Sequence, residues 1–451
     1  MVTDSPSLPQ PIDQLVDARW IVPVEPAATV LDNHSLAIQD GRILAILPTP
    51  EAGKRFAPRQ RYTLPHHILA PGLVNLHTHA AMTLLRGYAD DMPLMRWLQE
   101  CIWPAESQYV SPEFVRDGTL LACWEMLRGG ITCFNDMYFF PEAAAEATLQ
   151  AGMRAALGIT VFEFPSAYGS NADDYLDKGM ATREKLKGEP LISFCLAPHA
   201  PYTVADRSFT RVAELSAAHN LPIHIHVHES ADEIAGSLKE YGVRPLERMQ
   251  RLDLLGPQLI AVHAIHLNDA EIDLLAEKGC RIAYCPTSNM KLASGLAPIG
   301  KLLDAGVSVG FGSDGAASNN RLDLLQEMRH GALLAKLGAN DASCLPAHQA
   351  LRMSTLAGAE ALGLSKDIGS LKPGKAADMF AMRLDAWDMQ PCYDPVSHMI
   401  YTAGRDQVSH VWVNGALRIT DTQPVDSALS ALLDNTVSWQ NSLSKFRTQV
   451  R

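Results

Sequence analysis

The chain lacks any run of about 18 consecutive apolar residues, so nothing in it reads as a bilayer-spanning helix. It also lacks a basic block: 38 Lys and Arg stand against 50 Asp and Glu, a formal net charge of −12. Polyanions and anionic membrane surfaces are held by clustered cations, so nucleic acid and membrane are excluded as partners. Paired cysteine spacings are missing too. Eight cysteines are scattered over 451 residues, a length that folds without disulfide staples. The opening MVTDSPSLPQPIDQ has neither a basic segment nor an apolar core, so it does not read as a secretory signal. These absences predict a soluble, reduced, cytoplasmic protein.

What is present is an ordinary globular balance, 47% hydrophobic and 20% charged, with length for more than one folding unit. Both ends are β-rich. LVDARWIVPV and SLAIQDGRILAILP read as strands, the second broken by an Asp40-Gly41 hairpin turn. ADMFAMRL and SHVWVNGALRI return the pattern near the other end, with Asn414-Gly415 as the turn. One small β-sandwich domain built from both termini is expected, from residues 1–65 and 365–451, the latter with a terminal helix.

Residues 66–364 alternate differently. Apolar strand-like runs occur at LAPGLVNLHTH, ITCFNDM, MRAALGITVF, ISFCLAPHA, PIHIHVHES, LIAVHAIHL, RIAYCPTSN and VSVGFGSD. Amphipathic helical segments lie between most of them, such as SPEFVRDGTLLACWEMLRGG and NDAEIDLLAEKG, with Ser111-Pro112 and Asn268 as caps. Eight strands over about 240 residues suit a (β/α)8 TIM barrel, whose active site lies at the C-terminal strand ends. A doubly wound open sheet is the competing topology. The stretch at about 80–111 is too long for a plain βα loop, and its Met, Trp and Leu content makes it a lid or a structural flap.

Polar residues gather where those strands end. His77 and His79, two apart, share one face of their strand and can reach one ion, or are simply a polar strand end. PIHIHVHES sets His224, His226 and His228 on one face, followed by Glu229. LIAVHAIHL adds His263 and GFGSDG adds Asp314. So many ligand-type groups at one barrel mouth are not explained by core packing, and they predict a metal site.

The motifs HTH after PGLVN, HxxE, the His263 strand and SDG together resemble the amidohydrolase superfamily. LHTHAAMTLLRGYADDMPLMRWL, APHAPYT, HVHES and GSDGAASNN resemble its branch of methylthioadenosine/S-adenosylhomocysteine deaminases, and the likeness runs along essentially the whole chain. The resemblance implies His77, His79, His226 and Asp314 as ligands of one divalent metal ion, Zn²⁺ first, with Fe²⁺ or Mn²⁺ as alternatives. His224 would then sit deeper in the barrel, and His228 would be structural or line the rim. ISFCLAPHA carries no lysine of the kind that bridges two metals in binuclear members. Glu229 is implied as the acid that protonates the purine ring. His263 and Asp314 are implied as the groups that orient water and take its proton. The zinc deaminase signature of the cytidine type is absent.

For the substrate, Glu106 resembles the carboxylate that takes ribose hydroxyls, and His199 the ring contact. Met82, Leu85 and Trp97 could wall a thioether group, although core packing is the commoner fate of such residues. Arg154 is the candidate for the carboxylate of an amino-acid tail, the alternative being that it only caps a strand. The resemblance thus implies a hydrolytic deaminase of a purine nucleoside, methylthioadenosine first, with adenosine or S-adenosylhomocysteine as alternatives, and a homo-oligomer. Two other readings stand beside it: a hydrolase of another heterocycle such as a triazine, guanine or a pterin, and a metal-free assembly protein.

Overall fold

The computed structural model describes residues 8–425 and 429–450, so most of the Pro-rich start, residues 1–7, lies outside the described residues. Four strands come first: β1 (Gln10–Ile21), β2 (Leu31–Gln39), β3 (Arg42–Pro48) and β4 (Phe56–Pro71). The turn between β2 and β3 is Asp40-Gly41, both left-handed at φ 51° and 74°. That pair of angles matches the twist of the flanking strands, which is why Asp-Gly is found there.

Eight strands follow, each joined to the next by a segment containing helix: β5 (Leu73–Thr78), β6 (Ile131–Asp136), β7 (Arg154–Val161), β8 (Ile192–Pro198), β9 (Ile223–Val227), β10 (Leu259–His263), β11 (Arg281–Tyr284) and β12 (Ser308–Phe311). They pair in sequence order, all parallel. The ring closes where the Asp314 amide donates to the His77 carbonyl at 3.0 Å and the Thr78 hydroxyl donates to the Asp314 carbonyl at 3.0 Å. This is the expected barrel, and the open-sheet alternative is set aside.

The last strands are β13 (Met379–Arg383), β14 (Val408–Val413), β15 (Ala416–Thr420) and β16 (Gln423–Pro424). They join the first four in one mixed sheet ordered β16-β15-β14-β13-β4-β1-β2-β3. The terminal β unit is therefore one continuous sheet, not two separately bonded ones. It curls over a core that includes Val16, Leu36, Met379 and Trp412, and its two hairpin tips touch. Ala377 N–H donates to Gly41 and Gly415 N–H to Ala377, at 2.9 and 3.1 Å. A Cβ on Gly41 would lie 2.5 Å from the Asn414 oxygen, so that contact demands glycine.

β4 runs almost directly into β5, and this welds the sheet to the barrel. Gly72 sits between them, and a Cβ there would lie 2.0 Å from the Thr132 hydroxyl. The helix Pro112–Arg128 begins where the Ser111 hydroxyl accepts from Phe114 N–H, and Asp269–Lys278 begins at a full capping box of Asn268 and Glu271, as their sequences predict.

The stretch after β5 folds as short helical pieces, Ala80–Leu85, Leu94–Trp97, Leu98–Ile102 and Trp103–Tyr109. Its apolar side chains pack on the core, and several of them also face a cavity. The long helix Leu429–Val450 lies against this stretch, with Tyr109 hydroxyl donating to the Ser442 carbonyl at 3.0 Å and Trp439 indole donating to Asp117 at 3.0 Å.

Candidate metal centre and substrate cavity

Alternation along a strand decides which side chains meet at the barrel mouth. His77 on β5 and His226 on β9 point into the barrel, and their Nε2 atoms lie 3.2 Å apart. His77 Nε2 and His79 Nε2 each lie 3.3 Å from Asp314 Oδ1. The ligand-type atoms of His77, His79 and His226 fall within 4.8 Å of one another, as do those of His77, His263 and Asp314. His263 Nε2 lies 3.7 Å from Glu229 Oε2. All six candidates from the sequence thus converge on one point.

The backs of these rings are held by fixed partners. His79 Nδ1 bonds the Met137 carbonyl at 2.7 Å and His226 Nδ1 the His199 carbonyl at 2.9 Å. A carbonyl only accepts, so both rings carry hydrogen on Nδ1 and turn Nε2 into the cluster. His263 Nδ1 lies 2.8 Å from the Asn289 side-chain oxygen. Asp314 Oδ2 accepts from Ser288 and Ser318 at 2.6 and 2.7 Å, while Oδ1 accepts from Gly315 N–H and faces the histidines.

This donor set fits a cation. Inward-facing imidazole nitrogens crowd round a carboxylate oxygen, and positive charge is what such an arrangement stabilises. Burial opposes charge on His79, yet the hydrogen bond and charge of Asp314 push it up to about 9. Burial would likewise raise Asp314, but the bonds from His77 and His79 hold it well below the usual carboxylate range. Burial raises the Glu229 carboxyl, and the charge of His263 only partly offsets this.

The cluster forms the floor of a cavity of about 670 Å³. Glu106, Trp97, Met82 and His199 all line it. Tyr138 hydroxyl donates to Glu106 at 2.7 Å, and burial pushes Glu106 up to about 7 despite that bond. His199 is packed against Phe162 with ring centroids 4.7 Å apart. Its Nδ1 lies 3.0 Å from the Thr203 hydroxyl, and burial brings its pKa down to about 3, so the ring is neutral.

Three expectations are corrected. Arg154 is the first residue of β7, at the barrel end opposite the cavity, and its guanidinium bonds Asp378 at 3.1 Å. It is not among the residues that line the cavity. Leu85 is buried in the core and does not line the cavity either. His228 does not continue the face of His224 and His226. It lies past the end of β9 at φ 57°, and its Nε2 accepts from Leu246 N–H at 3.2 Å. Only the shared face is corrected, since a structural role is one of the two expected for His228.

Other contributors carry no role in the sequence reading: Ser288, Asn289, Ser318, Tyr138 and the Met137 and His199 carbonyls. The Ser288-Asn289 pair lies in the short helix Pro286–Lys291 that follows β11, within CPTSNM, a polar signal at the mouth. The backbone carbonyls have no signature at all.

Eight parallel strands with histidines, an aspartate and a glutamate at their C-terminal ends define a barrel hydrolase of the metal-binding kind. The chain belongs to the amidohydrolase family, whose sequence profile matches residues 68–418. It is 44% identical over 436 residues to a 5-methylthioadenosine/S-adenosylhomocysteine deaminase of Teredinibacter turnerae, covering 97% of this chain and 99% of the relative. It is 42% identical to one of Saccharophagus degradans, covering 95% and 96%. Among solved structures, an adenosine deaminase from Xanthomonas campestris with bound zinc superimposes with a TM-score of 0.95 at 47% identity, covering 97% of this chain and all of that one. An atrazine chlorohydrolase from Arthrobacter aurescens complexed with zinc gives 0.87 at 25% identity, covering 95% and 100%.

Proposed function

We propose that this chain is a hydrolytic deaminase of a purine nucleoside, with 5′-methylthioadenosine as its first substrate. The observation that carries the reading is a shared cavity: Glu106, braced by Tyr138, faces the same space as Glu229 and the His/Asp cluster. A carboxylate that accepts two hydroxyl protons suits a ribose, which a triazine or a free base does not have. The relatives named above as methylthioadenosine and adenosine deaminases support the same choice.

His77, His79, His226 and Asp314 would hold one divalent ion, and zinc is proposed because two structural neighbours carry it. Such an ion supplies acidified water, hence hydroxide near neutral pH. The chain's own groups do the rest. His263, with hydrogen on Nδ1 toward Asn289, offers Nε2 as a proton acceptor, and Asp314 Oδ1 is the second acceptor. The purine carbon bearing the amine accepts attack only if the neighbouring ring nitrogen is protonated. Glu229, its carboxyl raised by burial, suits that delivery. Addition of water and loss of ammonia then turn the amino purine into its oxo form.

The other end of the cavity supports the thioether over a charged tail. Leu94, Trp97, Leu98 and Trp103 contribute apolar surface, and no lysine or arginine is among the described lining residues. An ultraviolet deamination screen tests the proposal. Methylthioadenosine, adenosine, S-adenosylhomocysteine, guanine and a triazine are compared on one preparation of known metal content. Methylthioadenosine should give the highest kcat/KM, and a triazine or guanine in that place refutes the reading. Metal content near zero in active protein refutes the ligand assignment.

A further inference from the structure

Three of the four histidines in the cluster are backed at Nδ1 by an oxygen: Met137, His199 and Asn289 supply it. His77 is the exception. Its Nδ1 lies 2.9 Å from Nε2 of His224, and the two rings meet edge to face at 74° with centroids 4.8 Å apart. His224 precedes His226 by two on β9, so it shares its face one layer deeper in the barrel. That layer is ordinarily filled by branched aliphatic side chains, and His224 is fully buried in it.

The hydrogen positions follow from the ligand set proposed above. His77 Nε2 faces His226 Nε2 and Asp314 Oδ1; as a ligand of the ion it would give up its lone pair there, which leaves its hydrogen on Nδ1. His224 Nε2 is then the acceptor, and the hydrogen of His224 must sit on its own Nδ1. That atom has no hydrogen-bond partner. A buried donor left unpaired is a standing cost, and such groups call for an explanation.

We propose that His224 is a positioning residue for the cation site: by accepting the His77 Nδ1–H it locks His77 in the tautomer that aims Nε2 at the ion. The inference rests on the metal-site reading above. A partner of this kind fixes both the tautomer and the orientation of the ring it holds. His224 touches neither substrate nor ion, so its effect passes through His77 alone.

The test uses the full chain and Zn²⁺ alone, with affinity read by competition against a chromophoric chelator. His224→Gln keeps an acceptor oxygen at similar reach, whereas His224→Met fills similar space without one. The Met variant should bind zinc about 10–100-fold more weakly than the parent, and the Gln variant should stay within about threefold of it. The melting temperatures of the metal-free proteins should not follow that order, as they would if His224 only packed the barrel. Parent-like affinity in the Met variant overturns the proposal, and so does equal weakening in both variants. A parent protein that takes up no zinc overturns the metal-site reading, and this inference with it. Should the Met variant not fold, nitrogen-15 spectra of the parent decide. Hydrogen on His77 Nδ1 with a coupling across to His224 Nε2 supports the role, and hydrogen on His77 Nε2 refutes it.

Discussion

Replacing Arg154 separates a structural arginine from a substrate contact. Its guanidinium makes two bonds to Asp378, at 3.1 and 3.3 Å, and a third to the Pro190 carbonyl at 2.8 Å. The side chains are only 9% and 1% exposed, so Arg154→Met strands a carboxylate away from water. Breaking a buried ion pair from one side costs about 3–5 kcal/mol. With a urea m-value of about 3 kcal/mol per molar, the unfolding midpoint should fall by about 1–1.7 M. Adding Asp378→Asn should recover part of the loss, because the side-chain oxygen still accepts from the Asn414 amide, which now bonds Asp378 at 2.7 Å. Kinetics are the second readout. Below the transition, kcat/KM for methylthioadenosine and for S-adenosylhomocysteine should both stay close to the parent's, because Arg154 does not line the cavity. A selective loss on S-adenosylhomocysteine with an unchanged midpoint would refute the reasoning and restore Arg154 as a tail contact.

Glu229→Gln should lower kcat by about 10²–10⁴-fold, the usual worth of a general acid, with metal content unchanged by atomic absorption; activity near the parent's removes the acid role. Glu106 needs its charged form to accept sugar hydroxyls, and its carboxyl is pushed up to about 7. KM for methylthioadenosine should therefore fall as pH rises through about 7, and Glu106→Gln should flatten that profile; a KM that rises over the same window sinks the assignment. Glu106→Ala should cost nucleosides about 10–100-fold in kcat/KM, equivalent to about one charged hydrogen bond, while a free base is little affected. Dialysis against a chelator should abolish turnover, and Zn²⁺ should restore it; full activity without metal would refute the ligand set.

The cluster was legible because strands repeat every two residues and a barrel gathers its strand ends. HTH, HVHES and SDG need only that geometry to be brought together. Arg154 misled because an arginine beside a strand says nothing about which end of the barrel it faces, and it begins β7 where Val161 ends it. His228 misled because period two holds only while the strand lasts, and a left-handed residue after Val227 turns the chain aside. The carbonyls of Met137 and His199 were beyond reach, since every residue has a carbonyl and only the fold aims one. The curl of the terminal sheet was hidden for a similar reason: it depends on Gly41 meeting Asn414, residues far apart in the chain.

The helix Leu429–Val450 gives the molecule an order of completion. Its Ser442 carbonyl anchors Tyr109, one turn beyond Glu106, and its Trp439 grips Asp117 on the neighbouring helix. A ribosome delivers every residue of the cation cluster, and every strand of the barrel, before this helix emerges. The reacting centre can assemble on a nascent chain while the wall that carries Glu106 still awaits its brace. If Glu106 takes the ribose as proposed, shortening or crowding the chain at this helix should make the protein less discriminating before it makes it less reactive.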